Sequence, residues 1–426
     1  MGLSLLKITG NGTSLRSIFR SLNSYRGVRM VSTVKYRSAE AQVPSFSSDS
    51  LFASSSPLLM LSPNRYSSSY EFYSFAKNRL FTIPKSEKST FRYATKIFGS
   101  SHGWLGCFNY RRYELYLSNP LSGRRVNLPP IDYLPIPHAN LRHGHGINKI
   151  IISCSDPESK ECRAMMLFNN TNSLAFCCPG ISKWTKFNSV YEDIVYCATH
   201  ELFFAIRLEF TSKFDGDLVL EEWDLRNPLS PSLVWSGSVD KLDSRSHIFG
   251  QPNPAQDDEF GFNHQNYLVV SQQGELFLVY RYVYEFMMPN GSCAAPVNPE
   301  DEDDCDIFNN RKYRYPPKTV NYKVFKIVRD GDGWKKVFMD GHLDAQVMFV
   351  GWLSHGMAMP AAEANGFQPN TICFTDDTFT YSKEVRGTDN GIFDYKNKTF
   401  HPCYYPFDYQ SLKKKIMPPP LWLTRY

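Results

Sequence analysis

No apolar run in this chain approaches the ~20 residues that carry a helix across a bilayer; the longest resemble Val347–Leu353 in length. A membrane-spanning helix is therefore not expected. Cysteine is sparse and irregularly spaced, ten in 426 residues, which is too few for a small disulfide-stapled scaffold and is expected to mean reduced, buried thiols. Acidic residues are missing from one place: the first 39 residues hold no Asp or Glu but seven Lys or Arg. The formal net charge of +5 belongs to that stretch, because residues 51–426 contain 40 basic and 40 acidic side chains. A neutral body argues against a broad nucleic-acid groove.

What the first residues do have is Ser, Arg and a short amphipathic pattern. Leu15, Ile18, Phe19 and Leu22 recur at helical spacing, with Arg16 and Arg20 one turn apart on another face. A basic, acid-free, Ser-rich segment of this kind reads as an organellar transit peptide, since no apolar core of a secretory signal is present. Residues 1–45 are assigned to it, with mitochondria as the destination and plastids the second choice. Residues 46–70, rich in Ser and Pro, read as a linker.

From Phe72 onward the chain repeats short runs of aromatic and β-branched residues closed by turn residues. Examples are Ala164–Phe168, Asp193–Ala198, Leu202–Leu208, Leu276–Tyr284, Tyr322–Val328 and Gly391–Tyr395. Asp330-Gly331-Asp332-Gly333 and Gln272-Gln273-Gly274 lie between such runs and predict hairpins, because glycine supplies the positive φ of a tight turn. A strand closed by an Asx-type turn recurs at Leu117–Gly123, Trp223–Pro228 and Phe393–Thr399. Many short strands with a degenerate repeat predict an all-β fold, a single β-propeller over 71–426; at about 40–50 residues per blade this amounts to about seven blades.

The stretches Gly99–Leu105, Leu117–Gly123, Leu128–Ile131, Lys149–Cys154, Asn370–Asp377 and Pro418–Leu423 together resemble a plant family known as domain of unknown function 295, the KIB-type F-box-associated β-propellers. The resemblance implies a propeller without known enzymatic activity. Its better-known members carry an F-box ahead of the propeller and act as substrate receptors of ubiquitin ligases. Here that space holds the basic presequence and the Ser/Pro linker, so the chain is similar to the subgroup that lacks the F-box and is targeted to organelles.

Gly99-Ser100-Ser101-His102-Gly103 matches the G-x-S-x-G nucleophile elbow in spelling, but the following Trp104–Phe108 reads as strand rather than helix. Ser101, His102 and Gly103 are therefore expected in a turn beside an inner strand. His138, His143 and His145 form a loop cluster that lacks a fixed set of further ligands, and Cys154, Cys162, Cys177 and Cys178 lack zinc-site spacing. No catalytic residue, metal ligand or cofactor is assigned. Glu300, Asp301, Glu302, Asp303, Asp304 and Asp306 crowd into an insertion, 289–317, where mutual repulsion favours a hydrated loop; these six are the candidate partner-binding residues. Arg311–Tyr315 mixes bases with aromatics as single-strand RNA binders do, but an edge strand explains it as well. The expected function is a non-catalytic binding scaffold imported into mitochondria, its partner a protein; the alternative is a ubiquitin-ligase substrate receptor without a recognisable F-box.

Overall fold

The computed structural model describes residues 56–61, 69–85, 95–132, 134–142, 146–169, 172–178, 183–210, 215–227, 230–243, 262–284, 318–377, 388–404 and 420–424. The chain divides into two compact units at residue 54; the first, with the expected transit peptide, lies outside the described residues, as does the acidic insertion.

The strands of the second unit fall into six blades. The first blade contains β1 (Leu58–Met60), β2 (Ser69–Ser74) and β3 (Arg79–Pro84), with the chain's last strand, Leu421–Leu423, on its inner edge against β1. The second is β4 (Thr95–Ser101), β5 (Trp104–Asn109), β6 (Glu114–Ser118) and β7 (Arg125–Asn127). A five-residue helix, α1 (His138–Arg142), precedes the third blade, which is β8 (Ile147–Ile152), β9 (Ala164–Phe168), β10 (Ser173–Cys177) and the first half of β11 (Thr185–Cys197). The second half of β11 opens the fourth blade and pairs with β12 (Leu202–Phe210), followed by β13 (Asp215–Asp224) and β14 (Ser232–Asp243). The fifth is β15 (Phe262–Ser271), β16 (Leu276–Tyr284), β17 (Lys318–Asp330) and β18 (Gly333–Phe338). The sixth holds the hairpin β19 (Gln346–Gly351) and β20 (Met357–Pro360), then β21 (Thr371–Asp377), β22 (Thr388–Asp394) and β23 (Thr399–His401); the final strand is β24.

Side-chain alternation explains the ring. In β9, Ala164, Met166 and Phe168 face the second blade while Met165 and Leu167 face the fourth. In β5, Trp104 and Phe108 face the third blade while Leu105 and Cys107 face the first. A strand whose two faces are both covered reads as a continuous apolar run rather than an alternating one. The buried residues accordingly form six clusters, one at each junction of neighbouring blades. The cluster of Leu59, Phe349, Cys373 and Trp422 joins the sixth blade back to the first. Burial fades outward within a blade: β5 is buried throughout, β6 at its centre and β7 only at Val126.

Turn chemistry follows the expectation. His102 and Gly103 take φ of +51° and +79° between β4 and β5, the two positive values of a primed hairpin turn. Gly274 closes β15–β16, and Asp330 pairs with Gly333 across the β17–β18 turn. The repeated Asx turns join the two outermost strands of the second, fourth and sixth blades. In each, one carboxylate or amide oxygen accepts backbone N–H groups: Asn119 from Leu121 and Ser122, Asp224 from Arg226, Asp394 from Lys396 and Asn397.

Six blades form among the described residues, where about seven were expected over 71–426; residues 244–261 and 285–317 lie outside the described residues. One expectation is corrected. The expected linker 46–70 contains β1 and the start of β2, because Leu58 and Met60 pack on Leu105 and Tyr116 while Leu59 packs on Trp422.

Candidate functional site

The innermost strands meet around a polar centre. Lys149 on β8 places Nζ 2.5 Å from Asp193 Oδ1 on β11, with both side chains almost wholly buried. Asp193 also accepts the N–H of Ile194 at 2.8 Å and, through Oδ2, that of Leu268 on β15 at 2.9 Å. One carboxylate thus ties together the third, fourth and fifth blades. Burial pushes its carboxyl above the usual range even against the attraction of Lys149.

Next to it the register of β11 slips. Tyr191 pairs with Arg207 and Asp193 with Ile206, leaving Glu192 as the extra residue of a β-bulge, a device that re-aims a side chain. Glu192 keeps some solvent contact while protein surrounds it closely. Desolvation, then the charge of Asp193, pushes its carboxyl up to about 7. Asp193 is committed to Lys149, Ile194 and Leu268, whereas Glu192 keeps partial exposure to solvent.

Toward the other ends of the inner strands, the tip of the β19–β20 hairpin crosses the centre. Ser100 of the second blade donates its N–H to Leu353 O at 3.1 Å and accepts that of His355 at 3.0 Å. Val270 of the fifth blade, opposite in the ring, donates to Gly356 O at 3.1 Å. The N–H of Tyr196 on the fourth blade reaches His355 Nε2 at 3.0 Å. Only glycine fits at position 356, since a Cβ there would lie 1.9 Å from Leu268 O. His355 is almost fully buried and is held neutral, its pKa far below the ordinary value because of desolvation and then the nearby His102 and Lys149.

The sequence candidates are distributed as follows. The hydroxyl of Ser101 is engaged with the backbone of Ile152 on β8, 3.3 Å from both its N and its O, so the G-x-S-x-G spelling belongs to a strand–turn–strand joint between blades. His138 is exposed on α1, while His143 and His145 lie outside the described residues. No group of three or more His, Cys, Asp or Glu able to hold a metal occurs among the described residues. Cys177 and Cys178 are buried. The acidic residues Glu300, Asp301, Glu302, Asp303, Asp304 and Asp306 lie outside the described residues, within the connection from β16 to β17. That connection joins second to third strand, so its ends sit at the same end of the ring as the start of β15 and of the inner half of β11, where Glu192 lies. Sequence reasoning did not single out Glu192, His355 or Lys149. The available signal was two adjacent carboxylates inside the apolar run Tyr191–Cys197.

The model of the KIB1-4 beta-propeller family matches residues 72–394. An F-box protein of Arabidopsis thaliana is 24% identical over 263 residues, covering 61% of this chain and 56% of the relative; the chain thus spans little more than half the relative's length. Among solved structures, hydrazine synthase of Kuenenia stuttgartiensis is similar at 10% identity and a TM-score of 0.33, covering 68% of this chain and 69% of that one. The Swd1 β-propeller domain of Myceliophteria thermophila is similar at 10% identity and a TM-score of 0.30, covering 82% and 86%.

Proposed function

The chain belongs to the KIB1-4 beta-propeller family, and from that membership we propose that it is a non-catalytic scaffold that binds a basic protein segment at the end of the ring where the β16–β17 connection begins and ends. The observation that carries this reading is that Glu192, on an inner strand, lies at the end of the ring where β16 ends and β17 begins, and the sequence joining those two strands holds six closely spaced carboxylates. Propellers commonly engage partners through loops at one face and the mouth of the channel, because loops vary freely on a rigid scaffold. The commitments of Ser101 to Ile152 and of Asp193 to Lys149 support a structural rather than a catalytic centre.

We further assign residues 1–45 as a mitochondrial presequence, on the composition of its basic, acid-free stretch. The test is the location and N-terminal sequence of the tagged protein recovered from plant cells. A mitochondrial product beginning between residues 27 and 45 is expected. An intact Met1 in cytosol or nucleus would overturn import. The second reading, a ubiquitin-ligase substrate receptor, is favoured by the F-box relative. Stable capture of a Skp-type adaptor by the purified chain would establish that reading and displace the stand-alone scaffold.

A further inference from the structure

The turn between β8 and β9 carries two thiols that no part of the scaffold reading uses. Ile152 lies opposite Ala164 at the end of the antiparallel pair. The pairing continues one step, with Ser153 N–H donating to Arg163 O at 2.9 Å. The return N–H, from Arg163, goes to Ser153 Oγ at 2.9 Å, where the ladder ends. Continued in the same register, a further step places Cys154 opposite Cys162, and the two thiols share a side-chain hydrogen bond; in a regular antiparallel pair such a non-hydrogen-bonded position brings Cα atoms to about 4.5 Å. That separation lies within the range a disulfide spans. Burial agrees with this placement: Cys162, Ile152 and Ala164 belong to one core cluster, and Cys154 packs against its edge.

The two sulfurs differ in environment. Cys154 is partly exposed, its Sγ 3.1 Å from Asp156 O. A hydrogen bond from Cys162, with Arg163 nearby, lowers its pKa, whereas the same bond and burial raise that of Cys162. Cys403, the other partly exposed thiol among the described residues, is pushed up to about 12 by burial. The loop is also anchored at both sides. Trp104 Nε1 donates to Ser155 O at 2.8 Å, and Arg124 pairs with Asp156 at 2.9 Å and with Glu158. The two cysteines therefore stay in register while the loop between them is held.

We propose that Cys154 and Cys162 form a peroxide-reactive dithiol, with Cys154 the attacking and Cys162 the resolving cysteine. The Cys154 thiolate attacks one oxygen of a hydroperoxide, forming an S–O bond as the O–O bond breaks and releasing alkoxide or hydroxide, which takes up a proton. Cys162 then attacks the sulfenic sulfur; the S–S bond forms, the S–O bond breaks, and the thiol proton leaves with the hydroxyl as water. Overall the two thiols lose two electrons and the peroxide is reduced to an alcohol or water, plus water. The product is a cross-strand bridge closing the 154–162 loop at the end of the ring that carries the Asx turns.

The test uses the full chain, reduced and then exposed to a few equivalents of hydrogen peroxide, with free thiols alkylated before tryptic mass spectrometry. The expected result is the peptide Ile150–Lys160 linked through sulfur to Glu161–Arg163. Before oxidation, Cys154 is expected to alkylate at least roughly tenfold faster than Cys403 near neutral pH. A Cys162→Ala variant should accumulate sulfenic acid at Cys154, trapped as a dimedone adduct, with an unchanged circular-dichroism spectrum as the check that the fold is kept. Reduced Cys154 and Cys162 under conditions that oxidise other cysteines of the chain, or pairing of Cys154 with a different cysteine, would overturn the proposal.

Discussion

Glu192 is the residue whose environment departs furthest from what its neighbours in sequence suggest. The bulge leaves it without a cross-strand partner position, and burial with the adjacent Asp193 keeps it protonated up to about pH 7, against an ordinary value of 4.5. In the unfolded chain it ionises from the ordinary value upward. Between these limits the folded state binds more protons than the unfolded one, so this group's contribution to stability falls as pH rises from 4.5 to about 7. His355 acts in the opposite sense. Held neutral when folded but free to charge when unfolded, it favours folding above its ordinary pKa of 6.5, and that contribution is lost as pH falls below it. Glu192→Gln is accordingly expected to raise the urea midpoint at about pH 8 and leave it nearly unchanged at about pH 4. An equal shift at both pH values would mean that the carboxyl is not desolvated. The sequence showed two adjacent carboxylates inside an apolar run but not their different environments, because Glu192 and Asp193 differ by one methylene and by a register slip that only the pairing with β12 creates.

At the scale of elements, the strands were largely legible and their assignments were not. Ala164–Phe168 and Leu276–Tyr284 have the bounds their apolar runs predict. Thr185–Cys197, by contrast, is one strand serving two blades, its halves paired with β10 and β12. The β19–β20 hairpin was visible only as the apolar run Val347–Leu353; that its tip crosses the ring follows from contacts with three other blades. This crossing makes a sharp prediction. Gly356→Ala forces a Cβ against Leu268 O and is expected to cost about 2–4 kcal/mol by urea unfolding. Gly341→Ala, where φ is +70° and nothing lies within 4 Å, should cost only about 1–2 kcal/mol from the backbone alone. Equal costs would mean that the tip is not packed in the ring centre.

The whole molecule is held by closure as much as by packing. Neighbouring blades share buried clusters all round, and networks such as Arg281 Nη2 to Asp389 Oδ2 at 2.8 Å, with Thr319 N–H 2.6 Å from the same oxygen, bind the fifth blade to the sixth. Closure itself rests on β24, which sets Trp422 among Phe75, Phe349 and Phe367 and completes the first blade. Truncation after residue 419 removes that strand and uncovers β1. Loss of a buried Trp alone costs about 3–5 kcal/mol, so the calorimetric transition should fall by at least about 4–6 °C; an unchanged transition would show that the ring does not depend on this strand. The sequence by itself determined that the body is all-β and where most strands and turns lie, because strand propensity, Asx capping and glycine φ are local properties. Tertiary structure alone decided the six blades of the described residues, the ring-crossing hairpin, the buried Lys149–Asp193 pair and the juxtaposition of Cys154 with Cys162. Those depend on which strands become neighbours, and neighbours far apart in the chain are chosen by the fit of buried faces, which leaves no fixed spacing to read.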